Sequence, residues 1–205
     1  MLRLACLAST LILLANPVLA AAPTTDADWP CKQRLVPELT GATLWNGPPL
    51  PADGKWQSDK RVAAIVVAVS SRDLPIEEGR VQLGKFVDGV KPAERKTILP
   101  EVFAGIVDEV NRQRDAIITR IRELTHRQRD IGDVVSKVTT ELQQIPEDAQ
   151  GADAQRREEI VQRRGYVIRA FEEAERTMRY ACEAPVDLEA RLGDYARLLQ
   201  DRLGG

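Results

Sequence analysis

The chain has 205 residues, is 43% hydrophobic but only 4% aromatic, and is 29% charged with a formal net charge of −2. Its length suits one domain, or one domain with an arm. The near-neutral balance excludes an overall field that would draw nucleic acid or an anionic membrane surface, and the Ala-, Glu-, Arg-, Leu- and Val-rich composition leans towards helices and coiled coils.

Residues 1–20 read as a signal peptide. Arg3 supplies the positive start, Leu4 to Ala15 is apolar but short for a bilayer span, and Asn16-Pro17 breaks the segment before Val18-Leu19-Ala20. The expected mature chain begins near Ala21 and is periplasmic or secreted; an uncleaved N-terminal anchor is the alternative. Cys6 precedes the apolar segment instead of following it, which excludes a lipidated cysteine. No later segment approaches the ~20 apolar residues of a transmembrane helix. Of three cysteines, Cys31 and Cys182 remain after cleavage. In an oxidising compartment such a pair forms a disulfide; two separate buried thiols are the alternative.

Residues 21–57 form an arm. All three tryptophans, Trp29, Trp45 and Trp56, lie here with Pro23, Pro30, Pro37, Pro48, Pro49 and Pro51. Proline fixes φ and removes a donor, so the stretch should be extended or turn-rich. Trp29 and Trp45 are the expected anchors on the helical body. Gly47-Pro48-Pro49-Leu50-Pro51 could serve as a polyproline ligand, but packing on its own bundle is the simpler reading.

Residues 58–205 should form the helical body. Ser58 is the expected N-cap of a helix over 59–70, although the β-branched run Val62 to Val69 also suits a strand. A second helix should run from Pro75 to about Val90. From Phe103 the apolar positions are Val107, Val110, Ile117, Ile121, Leu124, Ile131, Val135, Val138, Leu142 and Ile145. Their alternating spacing of four and three marks a coiled-coil seam, broken only by Arg114 and Gln128. Pro100 should open this helix, after a short turn at Pro92, and Pro146 should end it. Beyond a loop at 146–151 the spacing resumes through Ile160, Arg164, Val167, Phe171, Ala174, Met178 and Ala181, then Leu188, Leu192, Tyr195 and Leu199, with a bend expected at Pro185. A short loop makes the two seams antiparallel neighbours and puts Cys182 beside Ile117. The expected fold is all-α: a long antiparallel coiled-coil hairpin, a helical-bundle base in which the two short helices join the lower hairpin, and an extended N-terminal arm.

Catalytic chemistry finds little purchase. The sole histidine, His126, falls at the outward f position of the heptad, unsuited to a metal site or a buried triad. Zinc spacing, haem attachment, phosphate-binding glycine loops and nucleophile elbows are all missing from the sequence. The carboxylates sit beside basic neighbours, such as Glu123 with Arg127 and Glu172 with Arg176, as solvated helix surface does. The run Arg112, Arg114, Arg120, Arg122, Arg127 and Arg129 is interleaved with acids and reads as a solvated face. Arg114 and Arg164 occupy seam positions; their stems should pack while the guanidinium groups reach water, with a polar layer that fixes register or a partner's carboxylate as the alternative. No catalytic, cofactor or metal residues are assigned, and an enzyme is not expected.

Leu124-Thr125-His126-Arg127-Gln128 contains the Leu-Thr-x-x-Gln signature and in those three fixed residues resembles the periplasmic stress chaperones related to Spy and CpxP. That resemblance implies a helical holdase, dimeric and cradle-like. Asp28-Trp29-Pro30-Cys31 and Pro92-Ala93-Glu94-Arg95 resemble segments of small exported helical proteins of proteobacteria, a likeness that implies no functional residues. The leading expectation is a non-enzymatic structural or adaptor protein that presents its hairpin to a protein partner, a second copy of itself included, at the tip or along an unpaired helix side. A Spy/CpxP-type holdase is the alternative.

Overall fold

A computed structural model describes residues 26–51 and 55–204. The signal segment, with its cleavage region and Cys6, lies outside the described residues, so the structure does not bear on it. The described residues are helical with no strand, and four helices follow in order: α1 (Lys60–Ser70), α2 (Ile76–Asp88), α3 (Pro92–Gln143) and α4 (Ala152–Asp201).

In α1 the β-branched run is helical because Val62, Val66 and Val69 recur at four and three and are all buried. Its N-cap is Asp59, not Ser58. The Asp59 carboxylate accepts from the Arg61 amide at 2.8 Å and reaches that of Val62, the donors the first turn leaves open. Ser58 instead closes a 3-10 turn, donating its hydroxyl to the Lys55 carbonyl. Pro75 precedes α2, and Glu77 and Glu78 sit in its first turn, the favourable end of the helix dipole for acids.

One proline expectation is corrected. The first long helix begins at Pro92, which occupies its first turn, and Pro100 lies inside it. Pro92 has no amide to waste at that end. Pro100 is buried between Leu99 and Val102, so its lost hydrogen bond is offset by packing in the base. α4 runs as one helix from Ala152 to Asp201 with the buried Pro185 inside, so the chain does not stop there. With 52 and 50 residues, the two helices are each about 75–80 Å long at 1.5 Å per residue.

The helices run antiparallel. Arg114 faces Pro185, Thr125 faces Met178 and Glu141 faces Arg163, which puts Cys182 between the levels of Arg114 and Thr125, as the spacing suggests. At the lower end α1 packs on α3 and α2 on α4, making a four-helix base. Its core holds Phe103, Ile106, Val110, Leu192, Tyr195 and Leu199, with Leu99, Val102 and Ile106 forming a second buried stripe on α3. The Tyr195 hydroxyl donates to the Val69 carbonyl at 3.2 Å, and Arg191 donates to the carbonyls of Ser71 and Leu74, so α4 holds the α1–α2 turn. A separate small cluster, Val138, Leu142 and Ile160, closes the hairpin near its tip.

Candidate interaction surface

The arm wraps the base, and its attachments explain why it follows that path. Trp45 is buried and stacks on Phe103 with ring centroids 4.8 Å apart. Leu39 exchanges two hydrogen bonds with Asn111, at 2.8 and 2.9 Å, and Gln200 bonds the backbone of Leu44 and Asn46. Leu50, in the proline run, packs on the same core, and the Pro48 carbonyl accepts from the Trp45 indole. While Trp29 packs on the same core only partly buried, the second fully enclosed anchor is Trp56. Its indole donates to Asp108 at 2.8 Å, and Gly105 of α3 makes room for it: a Cβ there would lie 2.8 Å from the Trp56 ring. Trp29 is half-buried and bonds within the arm, to the Gln33 carbonyl.

Cys31 and Cys182 are joined in a disulfide, Cα atoms 5.5 Å apart, inside the range such a bridge requires. Gln33 donates to the Cys182 carbonyl beside it. Around the bridge the arm meets α3 through ion pairs, Asp26 with Arg122 at 2.9 Å and Asp28 with Arg129, and the His126 ring lies beside Asp28. The hydrogen bond from Arg122 holds the Asp26 carboxyl below the usual carboxylate range, and that from Arg129 does the same for Asp28. His126 is thus outward and more than half exposed, as its heptad position requires, yet its Nε2 lies 3.3 Å from Asp28.

Arg114 departs from expectation. Its residue is only 3% exposed, and the guanidinium does not reach water. It donates to the Pro185 carbonyl at 2.8 Å and to the Val36 carbonyl at 2.6 Å, locking α3, α4 and the arm together. Burial pulls its pKa down, against the opposing charge of Glu189. The polar-layer reading therefore describes Arg114, and the reason is that the arm roofs the seam at that level. Arg164 is half-buried.

Above the disulfide the described part of the arm follows α3 as far as Arg129. A cleft of about 610 Å³ opens between the arm and the hairpin, with Met178, Gln128 and the disulfide among its walls and Glu175, Arg179 and Glu183 on its rim. Thr125 and Gln128 of the Leu-Thr-x-x-Gln stretch lie here: Thr125 is buried, with its hydroxyl on the Ile121 carbonyl and 3.9 Å from the Met178 sulfur. From this level towards the tip the seam residues Leu124, Ile131, Val135, Val167 and Phe171 are only half-buried, and Val134, Val161, Ile168 and Tyr166 are exposed. Tyr166 and Tyr180 are 68% and 72% exposed and fourteen residues apart, so they fall on one line of α4, about 21 Å apart.

Most cations of the α3 basic run pair locally: Arg112 with Glu109, Arg120 with Glu123, Arg122 and Arg129 with the arm. The pairings differ in detail from those the sequence suggests, since Glu123 takes Arg120 and Arg176 takes Glu173. Among the described residues no group of three or more His, Cys, Asp or Glu could hold a metal ion, and no helix is long and apolar enough to cross a membrane. No protein-family model, curated protein or solved structure matches the chain.

Trp56, Asn111 and Gln200 are arm contacts that sequence reasoning missed. A polar residue beside an apolar seam was a signal for Asn111, but nothing in the pattern says which carbonyl it meets. Tyr166 and Tyr180 were legible as aromatics off the seam, a position that only function or chance explains.

Proposed function

We propose that the chain is a non-enzymatic, exported adaptor that presents its two-helix stalk to a protein partner. The observation that carries this reading is the pair Tyr166 and Tyr180, both exposed and on one line of α4. Exposed tyrosines combine large apolar area with a polar tip and little side-chain entropy, and such residues serve as anchors at protein interfaces. The partner therefore reads the side of α4 rather than the tip, whose loop carries Glu147, Asp148 and small or polar residues. The disulfide supports a periplasmic or secreted setting, because such bonds persist in oxidising compartments.

The test is photocrosslinking. An activatable group at position 166, in the folded chain, should capture one discrete product from a periplasmic extract, and Tyr180→Ser should reduce its yield several-fold. Absence of any product above background would remove the adaptor reading. A second reading, a holdase of the Spy/CpxP kind, draws on the half-buried stalk seam and on Thr125 and Gln128 beside the cleft. It requires that the chain suppress aggregation of an unfolding client in proportion to its amount, whereas an adaptor is inert in that assay.

A further inference from the structure

We infer that the disulfide is a redox latch: its reduction by a dithiol frees residues 26–38 alone and opens the α3–α4 seam beneath them, while the rest of the arm stays on the base. The two parts of the arm are fastened differently. Leu39, Trp45 and Trp56 are buried, and their part of the arm is tied to the long helices by hydrogen bonds with Asn111, Asp108 and Gln200. None of those contacts involves Cys31. From Asp26 to Glu38, by contrast, no residue is fully buried.

Besides the bridge, the 26–38 segment has few ties. Its ion pairs, Asp26 with Arg122 and Asp28 with Arg129, use arginines that are 43% and 52% exposed, and such pairs add little. Trp29 packs on the core only in part and directs its indole N–H to Gln33, within the segment. Gln33 donates to the Cys182 carbonyl, and the Val36 carbonyl accepts from Arg114. With the bridge cut, these contacts alone oppose the entropy of ordering the whole segment.

The segment lies over an enclosed part of the seam. Arg114 is 3% exposed, Met178 6% and Ile117 8%, and Trp29 and Cys31 pack on the cluster that holds Ile117 and Met178. Opening leaves Arg114 with the Pro185 carbonyl as its remaining acceptor and admits water to the two apolar side chains. The reduced chain therefore displays an apolar strip and a cation that the oxidised chain conceals. The exchange balances: one thiolate of the dithiol attacks a cysteine sulfur to give a mixed disulfide, and its second thiolate displaces that sulfur. Cys31 and Cys182 end as thiols, and the reagent leaves as a cyclic disulfide. The bridge forms part of the cleft wall, which gives the attacking sulfur its approach. The latch does not rest on the adaptor reading, because Tyr166 and Tyr180 are exposed with the bridge closed.

The experiment is reduction of the folded chain with excess dithiothreitol, followed by indole resonances, circular dichroism and limited trypsin digestion. The Trp29 resonance should move to that of an indole in water, while those of Trp45 and Trp56 and the helix content hold. Cleavage after Lys32 and Arg34 should quicken about tenfold or more, and reoxidation should reverse both changes. Cys31→Ser with Cys182→Ser should match the reduced chain and ignore the reagent. A Trp29 resonance that stays in place after full reduction would overturn the proposal, since the segment would then hold without its bridge. So would a bridge that resists the reagent in the folded chain, or loss of helix on reduction or in the serine variant, because the bond would then support the fold rather than gate one segment.

Discussion

The base and the stalk share the same two helices and the same alternation of four and three, yet they differ in how well that alternation is buried. In the base, Phe103, Val110, Leu192 and Leu199 are shielded on several sides by α1, α2 and the arm. In the stalk, Ile131, Val135, Val167 and Phe171 face only one partner helix and remain half-exposed. A heptad fixes which stripe turns inward, but burial depends on how many elements close over it. A two-helix seam is therefore the least stable part of a long hairpin unless something else covers it.

The contrast can be tested through single side chains. Phe103→Ala removes a fully buried ring and its stacking partner for Trp45, and should destabilise the chain by about 4 kcal/mol. In the stalk Ile131→Ala should cost only about 1 kcal/mol, because part of that side chain already meets water. Urea unfolding of the two variants checks the difference; equal losses would mean that the stalk seam is as enclosed as the base.

Between those limits lies the arm. Replacing Cys31 and Cys182 by serine opens a loop spanning 151 residues and should lower stability by about 3 kcal/mol, below the roughly 5 kcal/mol that loop-closure entropy alone gives. Non-reducing mass spectrometry of the native chain should find it two protons lighter than its dithiol form. Arg114→Leu should cost about 2 kcal/mol, since it leaves the Val36 carbonyl and the Pro185 carbonyl without their guanidinium donor.

The smallest effect is on pH. The carboxyls of Asp26 and Asp28 titrate below the ordinary range in the folded chain. Their contribution is therefore complete above that range and is lost as pH falls through their lowered values. Both are exposed pairs, so only the end of the arm should respond. The Trp29 indole resonance should shift in acid while those of Trp45 and Trp56 hold still. Simultaneous movement of all three would mean that the arm and base respond as one unit.

Much of this architecture was legible in the chain. Alternation of Val110, Ile117, Ile121 and Leu124 with Ile160, Val167, Phe171 and Met178 carries the hairpin, and Cys31 with Cys182 carries the arm's attachment. Pro100 misled because local rules open a helix at such a proline, whereas α3 already begins at Pro92 and burial in the base outweighs a single lost hydrogen bond. Arg114 misled for a related reason. Its seam position was plain, but the roof that keeps its guanidinium from water comes from Val36, nearly eighty residues earlier in the chain. Ser58 and Asp59 compete as N-caps from sequence alone, and only the reach of the Asp59 carboxylate to the Arg61 and Val62 amides separates them.

The difference between base and stalk is tested most directly by hydrogen exchange, measured residue by residue on the disulfide-bonded chain. Amides of Val102 to Ile118 and Leu188 to Leu199 should exchange only as slowly as the whole molecule unfolds, while those of Ile131 to Val135 and Val167 to Phe171 exchange sooner, through local opening. Uniform protection along both helices, or protection greatest in the stalk, would contradict the account.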